Sequence, residues 1–261
     1  MIALALAALA LVQQQSLERR VANAPDGTIR FSYAAKPGVY GNGRNMISWD
    51  CKDGNCHNRQ VDNYHADGER DDWDTPCDSG PVRIALTKRG GRISDLRVYV
   101  GGQWRTTTTA TDLGVVGTKD ATSYLLGLAM RDDSRAAEKA IFPAVLADSV
   151  TLWPDLLKLA RKADVSRKVR RSAVFWLGQA AGDAATRGLT DLVDDGAADR
   201  EVRETAVFAL SQRPRDEGVP ALIRIARQNP DPELRRKAIF WLGQSDDPRA
   251  LSLFEELLTR P

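Results

Sequence analysis

The chain has 261 residues, 43% of them apolar and 28% charged, so it can bury a core and does not have the composition of a disordered chain. Lys and Arg number 37 against 35 Asp and Glu. That balance removes any global electrostatic case for nucleic acid or an anionic membrane, and leaves local charge runs to be judged singly.

Met1 to Val12 is apolar without a break. A bilayer span needs about 20 residues, so this run is too short to cross and suits the apolar core of a secretory signal. Residues 1–25 are assigned to such a segment, with Ala7, Ala8 and Ala10 available for a cleavage site and no basic residue ahead of the run. The competing reading is a docked helix from Met1 to Arg20. Export to the periplasm or the medium is the expectation, and it would permit disulfides.

Residues 26–110 read as a small antiparallel β domain. Ile29, Phe31 and Tyr33 alternate with Arg30 and Ser32, as in a half-buried strand. Pro37-Gly38 and Gly41-Asn42-Gly43 are turn chemistry, and Met46 to Trp49 is a candidate second strand. Val82, Ile84 and Leu86, then Leu96, Val98 and Val100, alternate on either side of Arg89-Gly90-Gly91, which predicts a hairpin. A sheet this small has one apolar face and is expected to lean on the first helices that follow.

Between these strands lies a polar stretch, Asp50 to Gly80, holding all three cysteines (Cys51, Cys56, Cys77) and both histidines (His57, His65). One disulfide is expected among the three. Cys51–Cys56 is the simplest, and Cys77 is an alternative partner for either. Cys and His are zinc-ligand types, but Cys-x4-Cys-His is a weak zinc spacing, so no metal and no cofactor is assigned. A metal- or cofactor-handling protein, enzyme or carrier, built on this loop is the alternative function. The acidic residues from Asp62 to Asp78 miss the alternation of a calcium loop and read as a solvated segment.

Near residue 110 the composition turns to Ala, Leu, Arg and Asp in helical rhythm, and residues 119–261 repeat. Ala140-Ile141-Phe142, Ala173-Val174-Phe175, Ala206-Val207-Phe208 and Ala238-Ile239-Phe240 recur at intervals of 33, 33 and 32 residues. Nine residues before each Phe stands a helix-capping type: Asp133, Ser166, Asp199 and Asp231, the last followed by Pro232. Leu156/Leu159, Leu189/Leu192 and Leu222/Ile225 mark a second helix in each unit, continued by Phe254/Leu257 and foreshadowed by Leu125/Leu128. Each unit is therefore helix A, a turn and helix B, which can bury both faces only by stacking on its neighbours. The last A-type helix, Pro248 to Thr259, should cap the stack. The fold class is α+β: a small β domain followed by an α-α solenoid.

Inside each cap come Val169-Arg170, Val202-Arg203 and Leu234-Arg235. Then follow Ala173, Ala206 or Ala238, and Leu177-Gly178, Leu210-Ser211 or Leu242-Gly243. This pattern resembles HEAT repeats, armadillo-type α solenoids, and in particular the short bacterial kind found in phycobilisome chromophore lyases. With the β domain, the chain also looks like exported bacterial proteins. The resemblance implies scaffolding and protein binding, B helices on the concave side, and an Arg in each B helix that bonds an acid or carbonyl between repeats. No motif for chromophore attachment carries over. The first repeat departs from the pattern: Pro143 stands where Trp176 and Trp241 stand later, and is expected to kink or split its helix.

At about 100° per residue, Val169, Ala173, Trp176, Leu177 and Ala180 share the face that packs on helix A, which would bury Trp176 and Trp241. Phe175 falls opposite, with Arg171 one turn before and Gln179 one turn after. Glu204, Phe208 and Gln212 repeat the arrangement, as do Arg236, Phe240 and Gln244. The candidate partner-binding residues are Phe142, Phe175, Phe208, Phe240, Gln179, Gln212, Gln244, Arg171 and Arg236; the competing reading packs each Phe between repeats. The basic run from Arg161 to Arg171 is diluted by Asp164 and reads as a solvated turn, so no nucleic acid is expected. No Gly-x-Ser-x-Gly, His-Glu-x-x-His or phosphate-binding loop occurs, so no catalytic residue is assigned. The expectation is an exported, non-enzymatic protein with a protein partner on the concave face and no stable membrane span.

Overall fold

A computed structural model describes residues 15–41, 43, 47–48, 51–52, 55–56, 78–104, 109–131, 134–180 and 182–259. The chain divides into two compact units, Met1–Val150 and Thr151–Pro261.

In the first unit, helix α1 (Leu17–Asn23) buries Leu17 and Val21. Strand β1 (Gly27–Tyr33) pairs antiparallel with β6 (Val82–Arg89), and β6 with β7 (Arg92–Val100), as the hairpin signal predicts. Two short ladders lie between: β2 (Tyr40–Gly41) with β3 (Ile47–Ser48), and β4 (Cys51–Lys52) with β5 (Asn55–Cys56). The fourth strand, β8 (Thr111–Val115), runs parallel to β1 and completes the order β7-β6-β1-β8. The sheet is therefore mixed, where alternation alone predicts an antiparallel one. Residues 111–115 lack a period-2 apolar pattern, and Val115 is 81% exposed, so β8 has no strand signature of its own.

Ile29, Phe31, Tyr33, Val82, Ile84, Leu86, Leu96 and Val100 are buried. Helices α2 (Thr118–Arg131) and α3 (Arg135–Val145) complete this core: Tyr124 meets Phe31 edge-on at 6.2 Å, and α3 packs on β7. Lys88 is buried too, because its Nζ donates to the carbonyls of Val21, Ala22 and Ala24 at 3.1, 2.7 and 2.7 Å and so satisfies the end of α1. Pro143 does not split α3. It lies in the last turn, the helix ends at Val145, and the Pro143 carbonyl accepts from the Tyr33 hydroxyl at 2.7 Å. The cap of α3 is Ser134, which accepts from the Ala137 N–H; Asp133, the cap expected from the repeat spacing, lies outside the described residues.

The second unit alternates A helices α4 (Trp153–Arg161), α6 (Asp183–Asp194), α8 (Arg215–Gln228) and α10 (Pro248–Thr259) with B helices α5 (Arg167–Gly178), α7 (Arg200–Ser211) and α9 (Pro232–Gly243). The expected leucines of α4, α6 and α8 are buried, as are Val169, Ala173 and Leu177 of α5 and their equivalents in α7 and α9. Helix α10 instead buries Ala250 and Leu253, leaving Phe254 half-buried and Leu257 exposed, because among the described residues no B helix covers its second face. Successive B helices pack on one another more extensively than successive A helices do.

The second-position arginines tie helices together, Arg170 and Arg203 reaching the next repeat and Arg235 staying within its own. Arg170 bonds Asp199, the residue at the head of α7. Arg203 donates to the Val193 carbonyl at 2.9 Å and lies 3.6 Å from Asp231, and Arg235 donates to the Asn229 carbonyl at 2.7 Å.

Candidate interaction surface

The i±4 spacing on the B helices sets three rows side by side. The middle row is aromatic. Phe175 is 37% exposed, Phe240 is 57% exposed and Phe208 is half-buried. Phe175 stacks on Phe208 across the α5–α7 contact, with ring centroids 6.5 Å apart. Phe175 meets Trp176 at 5.1 Å, Phe208 meets Trp241 at 5.0 Å, and Trp241 meets Phe240 at 5.0 Å.

Five rings thus form one strip over three helices. Trp176 and Trp241 belong to it, which corrects their assignment to the buried face: both are half-buried, as Phe208 is. An indole one position on from a surface Phe is long enough to lean back over it. In the middle repeat the same position is Ala209, which is buried. A Cβ built on Gly178 would lie 2.9 Å from the Ala209 Cβ, so α5 and α7 approach too closely there for an indole.

The second row is Gln179, Gln212 and Gln244, the C-cap residues of the three B helices, all exposed. Gln212 donates to the Ser211 hydroxyl at 3.1 Å. Among the described residues, the side-chain amides of Gln179 and Gln244 have no hydrogen-bond partner.

The third row is charged. Arg167 and Arg171 of α5 converge on Glu201 of α7, each at 3.4 Å. Glu204 is shared by Arg200 at 3.4 Å and Lys237 of α9 at 3.2 Å. Arg236 pairs with Glu233 of its own helix. The basic run from Arg161 to Arg171 is therefore partly matched by acids, Lys162 by Asp164 and Arg170 by Asp199 included. Phe142, the fourth phenylalanine of the predicted row, is half-buried in the other unit.

Residues 187–261 match the sequence family described as HEAT repeats. No curated protein matches the chain. Repeats of this family generally mediate protein interactions, and the matched HEAT segment contains two of the three B helices that carry the strip.

Beneath the aromatic strip sits a residue that breaks the repeat. Arg213 is buried, and donates to Thr186 Oγ1 at 2.8 Å, to the carbonyls of Gly178, Ala180 and Gly182, and to Glu217 at 2.8 Å. It thereby satisfies the end of α5 and the turn into α6 from the next repeat. Hydrogen bonds from Thr186 and then Arg213 hold the Glu217 carboxyl below its ordinary value. The equivalent positions, Ala180 and Ser245, carry no guanidinium, so the only signal in the sequence is a departure from the repeat.

The side chains of Cys51 and Cys56, and all of Cys77, His57 and His65, lie outside the described residues, so the disulfide and the zinc alternative are not addressed by this geometry. The backbones of Cys51 and Cys56 are direct partners in the β4–β5 ladder. Among the described residues no group of three or more His, Cys, Asp or Glu could hold a metal, and no helix is long and apolar enough to cross a membrane.

Proposed function

We propose that the chain is an exported, non-enzymatic scaffold whose B helices dock another protein along the aromatic strip, on the concave side of the repeats. One observation carries this reading: in three successive repeats the largest apolar side chains are kept together at the surface, while the space between helices is filled by Leu, Val and Ala. Aromatic anchors dominate many protein interfaces. The closer packing of the B row supports curvature toward that side. The pairing of the basic residues with acids supports a protein partner over a nucleic acid.

The test is capture of a partner from the periplasm or medium of the native host, followed by binding isotherms on purified components. Phe175→Ala and Phe240→Ala should each weaken binding by about fivefold or more, which corresponds to roughly 1 kcal/mol. Equal affinities for all three proteins would remove the strip from the interface. Mass spectrometry of the native protein, expected to lack Met1 to Val12, tests export separately.

A further inference from the structure

The three rows together describe a ligand as well as a surface. Neighbouring B helices stand about 8–10 Å apart, so a ligand crossing from α5 to α9 travels roughly 16–20 Å. An extended chain covers that in about five to seven residues at 3.1–3.4 Å each, whereas an α-helix needs about eleven to thirteen at 1.5 Å each.

On one side of the rings, Gln179, Gln212 and Gln244 present an amide once per repeat. An amide offers both a donor and an acceptor, the complement of a peptide unit, and the three glutamines take the same C-cap position in their helices. A chain whose own backbone groups are already bonded in a helix would leave this row unused. On the other side of the rings the charge is uneven. Three carboxylates, Glu201, Glu204 and Asp231, serve five cations, Arg167, Arg171, Arg200, Arg203 and Lys237. Helix α5 contributes four basic residues and no acid. That flank keeps surplus positive charge beside an apolar strip.

Resting on the scaffold reading above, we infer that the strip takes an extended peptide segment of another protein. Its apolar side chains lie on the rings, its peptide groups meet the glutamine row, and its acidic side chains point to the α5–α7 flank. Single-stranded nucleic acid, which also stacks on rings beside cations, is the rival. The rings here touch one another at 5.0–6.5 Å and leave no slot for a base between them.

The experiment selects a displayed library of random twelve-residue peptides on the full chain and rescreens the survivors on Phe240→Ala, whose exposed ring can be removed without opening the core. Survivors that lose binding on that variant should be rich in Asp and Glu next to apolar residues. Cut to seven residues they should keep affinity within about threefold, since an extended chain of that length already spans the strip. The triple change Gln179→Ala, Gln212→Ala and Gln244→Ala should weaken them by about tenfold. Phe240-dependent peptides that are basic, that need eleven or more residues, or that ignore the glutamine variant would overturn the extended acidic ligand and leave the docking surface standing. If no peptide depends on Phe240, both readings fall. A twelve-nucleotide oligo-dT that binds and loses binding on the same variant would then assign the strip to nucleic acid.

Discussion

The two units differ in whether they bury rings at all. In the first, Phe31 and Tyr33 are fully buried under the sheet's helical cover and Tyr124 packs edge-on against Phe31. In the second, none of the seven aromatic residues is buried, and five of them join in one surface strip. The difference follows from geometry. A sheet covered by two helices encloses one deep space that rings fill well, and burial pushes the Tyr33 phenol well above its ordinary pKa. Stacked helix pairs enclose thin seams, which Leu, Val and Ala fill, and a ring at the B–B contact would force the helices apart. Rings in such a stack therefore sit where they are for a reason other than the core.

The largest expected effect tests that contrast directly. Phe31→Ala should destabilise the first unit by about 3–5 kcal/mol, the usual cost of emptying a buried ring site. Phe240→Ala should change stability by about 0.5 kcal/mol or less, as an exposed substitution does. Urea unfolding of each variant, followed by probes in both units because two transitions are to be expected, measures both. A loss at Phe240 comparable to that at Phe31 would mean the strip is core after all.

Much of this was legible from the residues alone, because a 33-residue period places equivalent side chains in rows whatever the details of packing. The Phe and Gln rows and the buried leucines follow from it. Three features did not. The tryptophans look like core by angle, since Trp176 is only about 100° round from Phe175, but an indole reaches further than the angle conveys. Strand β8 is a parallel edge strand whose partner lies some 80 residues earlier, and nothing local marks it. Arg213 occurs once, so periodicity hides it, although its five hydrogen-bond acceptors make it the most connected side chain between the repeats described here.

A smaller effect sharpens the account of the stack. Gly178 and Gly243 occupy the same place in the repeat motif, yet their surroundings differ. A Cβ at Gly178 would press on Ala209 at 2.9 Å, while at Gly243 the nearest atom outside the helix is Phe254 Cζ at 3.9 Å. Gly178→Ala should cost about 1–3 kcal/mol through overpacking. Gly243→Ala should be neutral or stabilising by up to about 1 kcal/mol through helix propensity. Opposite signs in thermal melts of the two variants are the expected result, and equal signs would show that the motif glycine serves the helix rather than the contact.

The smallest effect concerns acid. Asp247 opens α10: its carboxylate accepts from Arg249 Nε at 2.8 Å, from Arg249 Nη2 at 2.7 Å and from the Arg249 backbone N–H at 3.0 Å. The Arg249 side chain, then its backbone N–H, pull the carboxyl from the ordinary 3.8 down to about 2. Arg249 also reaches the Arg215 carbonyl at 2.9 Å, so the pair links α10 to the start of α8. Above about pH 4 the carboxylate is ionised in both folded and unfolded chains, and its contribution to stability is complete. As the pH falls toward 2 the unfolded chain takes up its proton first, and the contribution drains away until the folded carboxyl is protonated as well. Asp95 in the first unit moves in the same direction by a different balance: burial would raise it, but the hydrogen bond and charge of Lys139 hold it low. Acid therefore weakens both units, and Asp247→Asn separates them. The variant should melt below the parent at pH 7, and the gap should narrow between pH 4 and pH 2 as the parent loses what the variant never had. A gap that stays constant across that range would show that Asp247 acts on α10 through shape alone, with no ionised partner for Arg249.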